Sequence, residues 1–227
     1  MTEGHVLLID REREGAATLT LNRPEKRNAL STELRDRIAD ALDDLAADAS
    51  LKVVAITGAG PVFSAGFDLG ELRAAVDDPE RSARLWASSD RYHSTVLRFP
   101  LPLVAAVNGP AIAGGFDLAL CCDLRLAAST ATFSHPEYTF GDVVYSPLHD
   151  LVGGAVAREL CMTGREIDAQ EALALRVVNR VVEPGALAAA LGELVERVLA
   201  APRANLLRTK AKAIERSRIV ADGTLDL

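Results

Sequence analysis

One pattern recurs in this chain and limits its possible folds more than any other: a short apolar strand, a loop of small residues, then a helix. It covers residues 53–72 and again 103–120. In the first copy, Val53-Val54-Ala55-Ile56-Thr57 passes through Gly58-Ala59-Gly60-Pro61 to Ser64-Ala65-Gly66-Phe67-Asp68. In the second, Leu103-Val104-Ala105-Ala106-Val107 passes through Asn108-Gly109-Pro110 to Ala113-Gly114-Gly115-Phe116-Asp117. Short continuous apolar runs are typical of strands buried on both faces, and strand–helix alternation selects a parallel sheet with right-handed crossovers.

The rest of the chain fits that layout. Residues 5–10 and 16–21 read as two strands joined by the charged turn Arg11-Glu12-Arg13-Glu14-Gly15. Ser31 is placed to cap a helix running to Ala47, with Leu34, Ile38, Ala41, Leu42 and Leu45 on one face. Residues 71–99 carry polar helical stretches, ended by Pro100 and Pro102, and residues 123–127 read as a further strand. From about residue 151 the sequence is rich in Ala and Leu and mostly helical, apart from a strand expected at 177–182.

Composition narrows the function classes. At 227 residues with 49 % hydrophobic side chains the chain has material for a sizeable core, although only 4 % are aromatic. A net charge of −7 argues against a nucleic-acid coat, which needs clustered Lys and Arg, but leaves room for one phosphorylated ligand held by local cations. Cys121, Cys122 and Cys161 are too few for a disulfide framework and lack metal-ligand spacing, so no metal site is expected. With no secretion signal and no apolar run long enough for a bilayer, the expectation is a cytoplasmic protein that contacts no membrane.

Both glycine loops can carry chemistry. Small residues let a ligand approach the backbone, and the first amides of a helix are free donors at the positive end of its dipole. Two such loops from neighbouring parallel strands could aim two N–H groups at one oxygen, as an oxyanion hole does. The alternative is that the glycines only permit tight turns. Neither loop has the three spaced glycines of a dinucleotide site or the lysine of a P-loop, and Ser64 lacks the glycine-flanked setting of a hydrolase serine elbow, which leaves a Ser-His-Asp triad unsupported.

Several segments in succession resemble signatures of the enoyl-CoA hydratase/isomerase (crotonase) family. They are Leu21-Asn22-Arg23-Pro24-Glu25-Lys26-Arg27-Asn28-Ala29-Leu30, Phe63-Ser64-Ala65-Gly66-Phe67-Asp68-Leu69, Asn108-Gly109-Pro110-Ala111-Ile112-Ala113-Gly114-Gly115-Phe116-Asp117, Cys122-Asp123 and Phe133-Ser134-His135-Pro136-Glu137. Thr163-Gly164-Arg165 and Val177-Val178-Asn179-Arg180-Val181-Val182 continue the series, so the resemblance spans roughly residues 5–215.

The resemblance implies an α/β crotonase-like fold, a spiral of repeated ββα units. Its core would occupy residues 1–165 and a helical oligomerisation region residues 166–227. It implies an acyl-CoA thioester substrate, with coenzyme A as carrier and no other cofactor, and a homotrimer or dimer of trimers. The oxyanion donors would be the N–H groups of Phe67 and Gly114. Arg23, Lys26, Ser64, Ala65, Asp68, Leu69 and Gly115 would border the coenzyme A, with Arg27 a further cation near its phosphates; a solvated turn is the alternative for these cations. Two carboxyls would move protons: Glu137, matching the family's second glutamate, and Asp117 in place of the first.

Aspartate is shorter by one methylene, about 1.5 Å of reach. Hydration of a 2-enoyl-CoA by Glu137 and Asp117 is therefore expected first. Isomerisation of an enoyl-CoA by Glu137 alone, and acyl-CoA binding without catalysis, are the alternatives. The segment Gly141-Asp142-Val143-Val144-Tyr145-Ser146-Pro147-Leu148-His149-Asp150 departs from the family's pattern, so Tyr145, His149 and Asp150 are candidates either for the acyl pocket or for a helix cap with Pro147 at its start. The stretch beyond a helix at 210–218 is short for the family, which leaves the pocket more open in this reading.

Overall fold

The computed structural model describes residues 5–11, 13–217, 219 and 223–227. Met1 to Gly4, Glu12 of the first turn and Arg218 at the expected end of the last helix lie outside the described residues.

The hairpin strands β1 (Leu7–Asp10) and β2 (Ala16–Leu21) pair antiparallel. Helix α1 (Thr32–Ala47) follows, its first turn closed by the Leu34 N–H donating to Ser31 Oγ at 3.3 Å. Next come β3 (Val53–Gly58), α2 (Leu69–Ala75), α3 (Pro79–Arg98), β4 (Leu103–Val107), the two-residue β5 (Ala111–Ile112), and α4 (Gly114–Cys121). Strands β6 (Leu124–Ala128) and β7 (Thr132–Ser134) precede α5 (Ser146–Val152) and α6 (Gly154–Thr163). The chain continues with β8 (Ile167–Asp168), α7 (Ala169–Ala174), β9 (Arg180–Val182), α8 (Leu187–Leu199) and α9 (Arg203–Arg216).

The large sheet has the order β1-β2-β3-β4-β6-β9 and is parallel from β2 onward. One face packs on α1, α3 and α4. Leu187, Ala190 and Val195 of α8 cover Val53, Ala55, Val104, Ala106, Leu126 and Ala128 on the other. Burial on both faces is why β3 and β4 read as unbroken apolar runs. Residues beyond 165 thus supply β8, β9 and a covering helix. A further link is Lys210 of α9, whose Nζ lies 2.7 Å from Asp123, the carboxylate that also accepts the Leu103 N–H.

A smaller sheet has the order β5-β7-β8. Its edge is extended by Ser64, which bridges in parallel to Ala111. Each unit therefore sends one long strand into the large sheet and a short one into the small layer before its helix: β3 then Ser64, β4 then β5, β6 then β7. This is the ββα spiral expected from sequence.

Two expectations change in detail. The strand expected at 177–182 is confined to Arg180–Val182. Both Val177 and Val178 donate to the Ala172 carbonyl and so close α7 instead of joining the sheet. Pro147 does start a helix, and the Tyr145 N–H before it donates to the Leu227 carbonyl at 3.0 Å. The tail folds back: Thr224 accepts from and donates to its neighbours on α3, with its Oγ1 2.8 Å from Asp90 Oδ1 and 3.2 Å from His93 Nδ1.

Candidate active site

The small sheet sets the register of three loops. Ile112 N–H donates to the Ser64 carbonyl and Ala113 N–H to the Ser134 carbonyl, both at 2.9 Å. The residues that follow each strand end, Ala65 to Phe67, Ala113 to Gly114 and His135 to Glu137, therefore emerge side by side. Residues some 20 to 70 positions apart in sequence become one site.

Two of these loops touch. Gly66 has φ +80°, and a Cβ there would sit 2.8 Å from the Ile112 carbonyl oxygen and 2.9 Å from Gly114 N. A Cβ on Gly114 would sit 2.9 Å from Phe67 Cδ1, so the Phe67 ring lies directly on this glycine. Ala113, just before it, holds φ +52°, a conformation costly for a residue with a Cβ and typical of functional turns. Within the described backbone, the N–H groups of Phe67 and Gly114 donate to no carbonyl.

Gly115 and Ser64 have other work. A Cβ on Gly115 would fall 2.4 Å from the Ser64 carbonyl oxygen, so this glycine allows α4 to close on the first loop. Ser64 is fully buried, donates from Oγ to the Asn28 carbonyl at 2.8 Å and accepts from the Gly66 N–H. The Ser64 side chain does not face outward. Asp68 caps α2 and pairs with Arg23 at 3.1 Å. Arg23 also donates to the Ala29 carbonyl, so this cation ties the loop together inside the protein. Lys26 and Arg27 remain exposed, Ala65 is half-buried and Leu69 is 50 % exposed. The Ala65 N–H donates to the Arg27 carbonyl at 2.9 Å, which places this cationic turn beside the loop.

Asp117, in the first turn of α4, and Glu137 come together. Asp117 is 3 % exposed, and its Oδ1 and Glu137 Oε2 are buried without hydrogen-bond partners among the described residues. Between them lies His135, a residue that sequence reading assigned only to a motif. Its buried Nδ1 is 3.0 Å from Glu137 Oε1 and 3.7 Å from Asp117 Oδ1, and its ring stacks on Phe116 at 4.8 Å. One potential ligand atom from each of the three residues lies within 4.8 Å of the others, which is also the chemistry of a cation site.

Burial dominates the protonation of this group. It raises Asp117 from the usual 3.8 to about 8, Glu137 adding to the effect and His135 opposing it. For His135, burial pushes downward, but the Asp117 charge and the Glu137 hydrogen bond outweigh it and hold the imidazole above its ordinary value. At neutral pH Asp117 is thus mostly an acid with a proton to give.

The family model described as enoyl-CoA hydratase/isomerase matches residues 11–220. The chain belongs to this family. It is 40 % identical over 207 residues to a putative enoyl-CoA hydratase of Thermus thermophilus, covering 89 % of this chain and 82 % of that protein. It is 36 % identical over 199 residues to 4-chlorobenzoyl coenzyme A dehalogenase-2 of an Arthrobacter species, covering 83 % of this chain and 71 % of that one. Among solved structures, an enoyl-CoA hydratase from Bacillus anthracis superposes with a TM-score of 0.87 at 31 % identity, covering 93 % of this chain and 83 % of that one. As an enoyl-CoA hydratase/isomerase family member the chain has the crotonase fold, and no described helix is long and apolar enough to cross a membrane. A hydratase and a dehalogenase among its relatives leave the reaction to be argued from the site.

A cavity of about 400 Å³ lined by Asp90, His93, Ser94, Arg98, Gly223 and Leu227 lies on the Phe67 side, where the His93 and Phe67 rings are 6.4 Å apart. It contains neither carboxyl group. The Tyr145 and His149 rings lie 5.4 Å apart, tilted, at the start of α5, where Tyr145 holds the N-cap position without a side-chain hydrogen bond to the helix.

Proposed function

We propose that this protein adds water reversibly to a 2-enoyl-CoA thioester. The single observation that carries this reading is the meeting of two buried carboxyl groups, Asp117 and Glu137, each with one oxygen that has no hydrogen-bond partner among the described residues. One water can accept and donate about 2.8 Å hydrogen bonds to two oxygens within 4.8 Å. The shorter Asp117 therefore does not by itself rule out a shared water.

In this reading the thioester oxygen sits on the Phe67 and Gly114 N–H groups, which stabilise the enolate as negative charge develops there. Glu137, with His135 Nδ1 3.0 Å from its Oε1, takes a proton from water as its oxygen adds to the β-carbon. Asp117 gives its proton to the α-carbon. The exchanged protons return through solvent or the reverse reaction. Lys26, Arg27, Ala65 and Leu69 are the exposed residues left to border the coenzyme A, whereas Arg23, Asp68, Ser64 and Gly115 build the loop beneath it. The trimer implied by family resemblance belongs to the same reading, and sedimentation at monomer mass would remove it.

A second reading has its own support. With Asp117 protonated near neutrality, it does not serve as a base there, which suits transfer of a proton between carbons by Glu137 alone in an isomerase. An acyl-CoA panel followed by chromatography and mass spectrometry separates the two. Gain of one water, abolished in Asp117→Asn, supports hydration. A double-bond shift at unchanged mass, surviving Asp117→Asn, supports isomerisation. Tight binding with no turnover across the panel eliminates both.

A further inference from the structure

Arg35 is fully buried, yet among the described residues none of its hydrogen bonds goes to a carboxylate. Nη1 donates to the Leu30 carbonyl at 2.7 Å, Nη2 to the Leu85 carbonyl and to Thr32 Oγ1 at 3.2 Å, and Nε to Ser88 Oγ at 3.4 Å. Glu71 and Asp36 reach it only through the hydroxyls of Thr32 and Ser88. Burial lowers the guanidinium from its ordinary value, against the pull of Glu71 and other acids nearby. A buried cation whose counter-ions stand one hydroxyl away is costly to desolvate.

What Arg35 touches is the first glycine loop, from two sides. Its guanidinium carbon lies 4.4 Å from the centre of the Phe67 ring. It also holds Leu30, whose N–H donates to the Gly66 carbonyl at 2.8 Å. That carbonyl belongs to the same peptide unit as the Phe67 N–H. The Phe67 ring in turn rests on Gly114, where a Cβ would come within 2.9 Å of it, and a Gly114 Cβ would also meet Leu30 Cδ1 at 3.6 Å. Ring and backbone of Phe67 are thus clamped by one side chain, and the clamped ring sets the spacing to the second loop.

We propose that Arg35 is a positioning residue for the thioester oxygen: it fixes the Phe67 N–H against Gly114 and places a buried positive charge behind the ring. This rests on the acyl-CoA reading above. A charge held in a low-dielectric interior, already oriented, acts on a developing anion without reorganisation. The effect therefore belongs to kcat and not to substrate binding.

The test uses a saturated acyl-CoA labelled with ¹³C at the thioester carbonyl, read by infrared difference spectroscopy, alongside kinetics on whichever enoyl-CoA the wild type turns over. In the wild type the carbonyl stretch should move to lower frequency on binding. In Arg35→Met that displacement should shrink, with kcat down at least about tenfold and KM within about threefold. Arg35→Lys, which keeps the charge but loses the fork, should fall between, and it carries the comparison if the methionine variant does not fold. A folded variant with the wild-type carbonyl band and wild-type kcat overturns the role of Arg35. Absence of any displacement in the wild type overturns the acyl-CoA reading itself, a separate result.

Discussion

His135 Nδ1 lies 3.0 Å from Glu137 Oε1 and 3.7 Å from Asp117 Oδ1, so one buried imidazole stands between the two carboxyl groups of the candidate site. Its presence lowers the Asp117 pKa that burial has raised. In His135→Gln that restraint is gone. We expect kcat to fall roughly 10- to 100-fold and the alkaline limb of the pH–rate profile to move to higher pH. A Gln variant with an unmoved alkaline limb would show that the imidazole has no part in the proton inventory.

Asp117 also makes stability depend on pH. Its proton is held to about 8 in the folded chain and to about 3.8 when unfolded, so between those values the unfolded state sheds a proton that the folded state keeps. Stability from this group is full below pH 3.8 and drains away as pH rises toward 8. Asp117→Asn carries no such burden. Relative to wild type it should gain about 1–3 kcal/mol between pH 4 and 8, several degrees in melting temperature. Parallel melting-temperature curves for the two proteins would contradict this.

The loop glycines should separate stability from catalysis. Gly66→Ala forces a side chain onto φ +80° and against the Ile112 carbonyl, so it should lose about 2–4 kcal/mol of stability. At Gly114 the backbone is not left-handed and the obstacle is a side chain, the Phe67 ring, instead of a backbone carbonyl. Gly114→Ala should therefore keep most of its stability and lose about a hundredfold in kcat by displacing the loop. Thermal melts and kinetics on the two variants check both statements, and equal losses of melting temperature would refute the distinction.

Two glycines outside the site make a matched control. A Cβ on Gly109 would fall 2.0 Å from the Pro61 carbonyl oxygen, in the turn that precedes β5. Gly109→Ala should cost about 3 kcal/mol or more. Around Gly185 there is nothing within 4 Å, and Gly185→Ala should be neutral or stabilising by up to about 1 kcal/mol. Urea midpoints for the pair decide it, and a tolerated alanine at 109 would mean that the two loops are not packed as described.

Much of this protein was legible in one dimension, because local rules decided it. The run Val53-Val54-Ala55-Ile56 had to be a strand covered on both faces, and α8 covers the second face. Ser31 had to cap α1, and does. Small residues after β3 and β4 marked two loops where backbone could be approached. Position within the family's signatures singled out Asp117 and Glu137.

What the sequence could not say is what each side chain does once the loops pack, since that depends on partners far away in the chain. Arg23 looked like a cation for phosphates, but the fold offers it Asp68 at 3.1 Å. Ser64 and Gly115 looked like ligand contacts and became the packing between loop and helix. Val177 and Val178 had the composition of a strand, yet α7 needed their amides. Most of all, His135 and Arg35 had no local signal, one a histidine before a proline and the other an arginine on an amphipathic helix. Only the register of the small sheet and the closing of α3 over α1 turn them into neighbours of the carboxyl groups and of Phe67, because burial and charge proximity are properties of the folded chain alone.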